Sequence, residues 1–111
     1  MILMHKGIEE RWFGMSLMEQ LANVGADVSR AIRWKNKNKS DLAQGAFDRS
    51  LELFYLVLAD PKNKKRLAEI CRAKEVWIDY FMYDNQYGFT DEAWENYFYY
   101  FNYVAALERG R

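Results

Sequence analysis

The chain has 111 residues, half of them hydrophobic and 29% charged, with sixteen basic and sixteen acidic side chains. That length and balance fit one folded domain with its own core and exclude disorder along the whole chain. A formal net charge of zero supplies no general attraction to nucleic acid or to an anionic membrane, and no stretch approaches eighteen apolar residues, so no membrane span is expected.

Cys71 is the single cysteine, which rules out an intramolecular disulfide and a multi-cysteine zinc site. The opening MILMHKGIEERW has no long apolar h-region and no clear cleavage site, so no secretory leader is expected and the setting is read as cytoplasmic.

Residues 1–15 are apolar in places, at Ile2, Leu3, Ile8, Trp12, Phe13 and Met15, but without a sustained period. They are expected to form a mobile start or a short accessory helix that packs Trp12 and Phe13 against a domain spanning 16–111. Ser16 followed by Glu19 is a capping box. Leu17, Leu21, Val24, Val28 and Ile32 then recur at helical spacing, which predicts a helix over 17–37. Gly25 costs such a helix about 1 kcal/mol relative to alanine, and a neighbouring helix passing closely would account for it.

The polar run WKNKNKSD, Trp34 to Asp41, breaks the pattern. Ser40 or Asp41 can cap a second helix over 41–59. Ala43, Phe47, Leu51, Phe54 and Leu58 form its stripe, widened by Ala46, Ser50, Leu53 and Val57. Asp60-Pro61 is the sharpest boundary: the proline disfavours helix in the residue before it and fits the first position of the next helix. That third helix is predicted over 61–83, with Leu67, Ile70, Ala73 or Lys74, Trp77 and Phe81 inward. DNQYGFT, Asp84 to Thr90, is a connector with a glycine stop at Gly88. Thr90 caps a fourth helix over 91–107, whose acidic first turn suits the helix dipole. Residues 108–111 are expected to fray.

Four amphipathic helices with short links predict an all-α, antiparallel up-down four-helix bundle with a short N-terminal segment. No period-two run or hairpin signal argues for a sheet.

The fourth helix carries EAWENYFYYFNY, more rings than one core stripe needs. Trp94, Phe98, Phe101 and Ala105 share one face, flanked by Tyr97 and Val104. Tyr100, Tyr103 and Leu107 point away from it, and Tyr99 belongs to neither group. Tyrosine brings apolar area with a hydroxyl that tolerates water, which suits an interface. The outer face is therefore read as a homodimer or partner-protein contact. Cover by residues 1–15 and plain exposure are the alternatives.

Two basic runs stand out: Arg30, Arg33, Lys35, Lys37 and Lys39, and Lys62, Lys64, Lys65 and Arg66. They are expected at one pole of the bundle, where they could meet phosphate. Helix-end electrostatics explains the first run equally well, and no aromatic-glycine nucleic-acid motif accompanies either. Nucleic acid is the weaker alternative as a partner.

Catalytic motifs are absent. His5 is the only histidine and is read as a surface residue; Cys71 is read as a buried, inert thiol. No phosphate-binding glycine loop, dinucleotide fingerprint, zinc motif or calcium loop occurs, so no cofactor is expected. Acidic pairs at spacing four, Asp48/Glu52 and Glu75/Asp79, lack the Glu-x-x-His partner that bundle metal sites use, so no metal is expected either. A structural network is read instead, with Asp48 or Asp79 holding Arg30 or Arg72 across the bundle. Arg30, Arg72 and Asp79 are the best candidates for a small polar pocket.

The segments SLMEQLANVGADVSRAIRWKNK (Ser16–Lys37) and ADPKNKKRLAEICRAKEVWIDYF (Ala59–Phe81), with the aromatic end, resemble a group of small, uncharacterised prokaryotic helical proteins. That group is loosely similar to the helical proteins encoded beside minimal nucleotidyltransferases. The resemblance implies a four-helix bundle, dimeric or bound to a protein partner. Related RNA-cleaving helical domains carry an arginine followed a few residues later by histidine. Here Arg72 leads toward Asp79 with no histidine, so the pattern departs at its base. The expectation is a noncatalytic interaction or dimerisation module. The alternative is a small-anion, nucleotide or RNA binder, or an enzyme, using a polar pocket between helices.

Overall fold

The computed structural model describes residues 6–110, with side chains from Glu10 onward. His5, Ile2 and Leu3, and the side chain of Ile8, lie outside the described residues. Five α-helices follow one another: α1 (Lys6–Phe13), α2 (Leu17–Asn36), α3 (Ser40–Ala59), α4 (Leu67–Met82) and α5 (Asp91–Gly110). No strand occurs among the described residues. The four long helices pack together, α2 most extensively against α3 and α5.

The capping box forms as the sequence predicts. The Glu19 amide donates to Ser16 Oγ at 3.1 Å and the Ser16 amide donates to Glu19 Oε1 at 3.2 Å. Ser16 Oγ also donates to Glu108 Oε1 at 2.6 Å. The end of α5 is thereby held, and the helix runs on to Gly110 rather than fraying from 108; Arg111, the last residue of that expectation, lies outside the described residues. Between these ends, Ser29 Oγ donates to Glu95 at 3.2 Å and Asn36 Nδ2 donates to Asp91 at 2.9 Å. Residues of α2 in ascending order meet residues of α5 in descending order.

Three predicted boundaries shift for local reasons. Ser40 and Asp41 do not cap α3: the cap position is Lys39, without a side-chain bond, after Asn38 turns the chain at φ 60°. Asparagine enters that left-handed region more readily than most residues. The expected helix over 61–83 divides into a 310 segment, Pro61–Arg66, and then α4. Asp60 caps it, accepting from the Lys62 amide at 3.1 Å. The tighter winding goes with Asn63, whose backbone amide donates to Asp60 O and whose side chain is drawn inward. Finally, α4 stops at Met82, ahead of Gly88. Gly88 instead makes a connector turn at φ 69°, its amide donating to Asn85 O at 3.0 Å.

The core is built around aromatic contacts. Phe47 stacks on Phe81 at 4.4 Å between centroids, and Trp77 meets Trp94 edge-on at 5.5 Å. Trp94, Phe98, Phe101 and Ala105 are all buried, as the α5 pattern predicts. Leu56, Val76 and Tyr80 are buried although the stripes did not include them, whereas Leu51, Leu58 and Phe81 are half-buried and Leu67 is exposed. Buried Ser50 donates to Phe47 O at 2.6 Å and accepts from Trp77 Nε1 at 2.9 Å.

A buried polar knot fixes α1 to the body. Gln20 Nε2 donates to Trp12 O at 2.9 Å and to Asp60 Oδ2 at 2.8 Å, and Asn63 Nδ2 donates to Gln20 Oε1 and Val57 O, both at 2.9 Å. Lys62 Nζ bonds Asp60 and, at 3.1 Å, Phe13 O. Trp12 sinks into the core at 3% exposure, while Phe13 stays 40% exposed. The expectation that both rings pack therefore holds for Trp12 alone. Burial pushes the Asp60 carboxyl up, but the hydrogen bonds from Lys62 and Gln20 outweigh it and hold the group below its ordinary value.

Candidate functional site

Helix α5 has two aromatic sides because its ring positions outnumber one helical stripe. Its inner side is consumed by the core. On the outer side Tyr99, Tyr100, Tyr103 and Leu107 are each more than half exposed, at 66, 57, 55 and 54%. Tyr99, which the sequence reading set apart, stacks on Tyr103 with centroids 6.5 Å apart and an interplanar angle of 21°. Their spacing of four was the available signal. Tyr100 meets Phe101 edge-on at 5.2 Å. The described part of residues 1–15 is engaged elsewhere, with Trp12 in the core and Phe13 O bound by Lys62.

A second feature lies where α4, the connector and α5 converge. Glu69, Arg72, Ala73 and Val76 of α4, Tyr87 and Phe89 of the connector, and Trp94 and Tyr97 of α5 line a groove of about 360 Å³. The connector is shaped by Asn85, which takes φ 53°. Its side chain accepts from the Phe89 amide at 3.0 Å and donates to Phe89 O at 2.8 Å. Thr90 then caps α5, accepting from the Ala93 amide at 3.0 Å. Phe89 packs on Trp94 at 4.5 Å between ring centroids.

The charges around this groove are unequal in their commitments. Glu69 is gripped through both oxygens, by Arg66 Nε at 2.8 Å and Arg66 Nη2 at 3.2 Å. The hydrogen bond from Arg66 holds its carboxyl below the ordinary value. Arg72 lies against the Tyr87 ring, its guanidinium carbon 5.8 Å from the centroid, within cation–π range. Among the described residues no carboxylate comes within 4.0 Å of it. Burial, and then the neighbouring Glu69, raise the Tyr97 hydroxyl above its ordinary value.

The three polar candidates do not share one pocket. Arg72 lines the groove just described, while Arg30 lines a separate, more polar one between α2 and α5, with Arg33 and Glu95. Asp79 organises the connector: its carbonyl accepts from Tyr83 and Asn85, and its carboxylate accepts from the Tyr87 amide at 3.3 Å. Arg30 is held by Asp27, not by Asp48 or Asp79, and Arg49 reaches Asp27 from α3 at 3.7 Å. Asp48 instead accepts from Gln44 on its own helix. Burial raises the Asp27 carboxyl above its ordinary value despite both arginines. Asp27 sits three residues after Val24 and four before Ala31, an inward position that the spacing alone could have flagged.

The two basic runs are also apart. The knot places Lys62–Arg66 beside Gln20, near the start of α2, whereas Lys35–Lys39 follow at its other end. At 1.5 Å rise per residue the separation is about 25 Å. In an up-down order the third helix begins at the pole opposite to the end of the first, so the expectation of a single basic pole is corrected. Cys71 is half-buried rather than buried. No three His, Cys, Asp or Glu side chains among the described residues gather in a way that could hold a metal ion. No described helix is long and apolar enough to cross a membrane.

Comparison with protein-family models, with curated proteins and with solved structures finds no significant match.

Proposed function

We propose that the chain is a noncatalytic interaction module, an antiparallel up-down four-helix scaffold that pairs with a second copy of itself through the outer face of α5. One observation carries this reading. Tyr99, Tyr100, Tyr103 and Leu107 remain more than half exposed after α5 has buried its other face. Rings of this kind supply apolar contact area at small conformational cost, with hydroxyls that stay hydrated until the partner arrives. A strip along one helix can meet its own copy across a two-fold axis, where each patch answers itself. The zero net charge sets no electrostatic bar to such like-with-like pairing.

On this reading the chain is one of the small prokaryotic helical proteins that its Ser16–Lys37 and Ala59–Phe81 segments resemble, working as a protein partner in a cytoplasmic setting. The absence of a histidine after Arg72 sets it apart from the RNA-cleaving relatives. The test is light scattering coupled to size-exclusion chromatography over a tenfold concentration range, on the wild type and on a Tyr100→Glu, Tyr103→Glu double variant. A dimeric wild type and a monomeric double variant are expected. Two equally monomeric proteins defeat self-association.

A further inference from the structure

We propose that the groove between α4, the connector and α5 binds a small planar aromatic carboxylate, its ring held among Tyr87, Phe89, Trp94 and Tyr97 and its carboxylate on Arg72. The walls decide the ring. Four aromatic side chains and the short Ala73 and Val76 face one space of about 360 Å³, within the size range of small-molecule sites. Aromatic surfaces take a flat π-system by stacked or edge contacts. The Asn85 clasp on Phe89 and the Thr90 cap on α5 fix the walls from outside, so the space is formed before a ligand arrives.

The charges decide the sign. An aromatic-lined pocket with a glutamate at its edge would ordinarily suit a cation. Here each Glu69 oxygen accepts from Arg66, whose positive charge offsets the carboxylate, and the remaining lining charge is the Arg72 guanidinium. It has a tyrosine face beneath it and no carboxylate within 4.0 Å among the described residues. A guanidinium so placed offers a planar fork that matches a carboxylate through two parallel hydrogen bonds. A cationic ligand would instead meet like charge. The buried Trp94 indole N–H, which has no acceptor among the described residues, belongs to a ring of this same groove.

The probe is 2-naphthoate, titrated into the full chain by calorimetry, with 2-naphthylmethylamine, 2-naphthylmethanol and hexanoate as comparators. Saturable binding of naphthoate below millimolar concentration is expected. The alcohol and hexanoate should each bind at least tenfold more weakly, and the amine should not bind. Arg72→Gln should weaken naphthoate about tenfold, while Arg72→Lys should retain part of the affinity. Because Arg72 is exposed, both variants should keep the wild-type melting temperature. No saturable naphthoate binding up to 1 mM, equal binding of the amine, or unchanged affinity in Arg72→Gln would each overturn the assignment. The variants leave Tyr100 and Tyr103 unchanged and the readout is naphthoate affinity rather than molar mass, so failure here and failure of self-association are told apart.

Discussion

A Cβ atom placed on Gly25 would lie 2.6 Å from the Cβ of Phe98 and 2.7 Å from its Cγ. Helices α2 and α5 therefore touch at a point where only a hydrogen fits. Gly25→Ala should destabilise the protein even though alanine is the better helix former by about 1 kcal/mol. Overpacking of this kind costs about 1–3 kcal/mol; set against the propensity gain of about 1 kcal/mol, a net loss of about 1 kcal/mol, and at most about 2, is expected from urea denaturation midpoints. Shortening the opposing ring does not help, because the nearest atom is a Cβ that alanine also carries. A Gly25→Ala, Phe98→Ala variant as stable as Phe98→Ala alone would refute this.

That contact was legible in the sequence as a mid-helix glycine in need of a close neighbour, and so were Ser16/Glu19, Asp60-Pro61, Thr90 and the inner face of α5. These are local or periodic signals. What stayed hidden depends on which distant groups meet. Gln20 of α2 and the Asp60–Asn63 turn come from two distant parts of the chain and bond one another only once folded. The groove needs the connector's path, set by Asn85 at a positive φ, and no spacing rule places Tyr87 and Phe89 beside Arg72. The two basic runs stand at opposite poles for a reason the predicted helix order already contained: in an up-down order the third helix begins at the pole where the first one began.

The two buried aspartates should respond to pH with opposite signs. Asp60 has its folded value lowered, so its stabilising contribution is present above the ordinary value near 3.8 and is lost as pH falls through the folded value. Asp60→Asn should cost about 1–3 kcal/mol at pH 7, the range for removing a partner from a buried charged hydrogen-bond set. That deficit should narrow toward pH 3. Asp27 has its folded value raised. Between 3.8 and that higher value the native state binds more protons than the unfolded one, so stability falls as pH rises. Asp27→Asn should be the more stable protein at pH 7, the gap closing below pH 3.8. Paired denaturant titrations at pH 7 and pH 3 read both, and a shared direction for the two variants would contradict the assignment.

Ser50 holds the deepest tryptophan by one hydrogen bond. Ser50→Ala leaves the Trp77 indole N–H, bonded at 2.9 Å to Ser50 Oγ, without a partner in a fully buried site. A loss of about 1–3 kcal/mol is expected. A thermal melt unchanged to within a degree would show that water or a shift of the ring replaces the bond.

Removing the Ser16 hydroxyl breaks two contacts, the cap on α2 and the tether to Glu108. Ser16→Ala should cost about 1 kcal/mol for the cap. It should also speed amide hydrogen exchange in the last turn of α5, from about residue 106 onward. Faster exchange at the start of α2 alone would mean that the Glu108 contact holds nothing.

The Gly25–Phe98 junction also bears on the order in which the chain assembles. Helices α2 and α3 are joined by a short turn and can find each other early, whereas α5 reaches α2 through contacts such as Ser29–Glu95, 66 positions apart. Closing so long a loop adds little to the equilibrium cost, since each doubling adds about 0.6 kcal/mol, but it delays the reward. The narrow seat at Gly25 then acts as a register check, because a helix displaced by one turn would set a different side chain against the glycine. Docking of α5 should accordingly be the late event of folding. Phe98→Leu should chiefly accelerate unfolding, and Val28→Ala should chiefly slow folding, in stopped-flow chevrons.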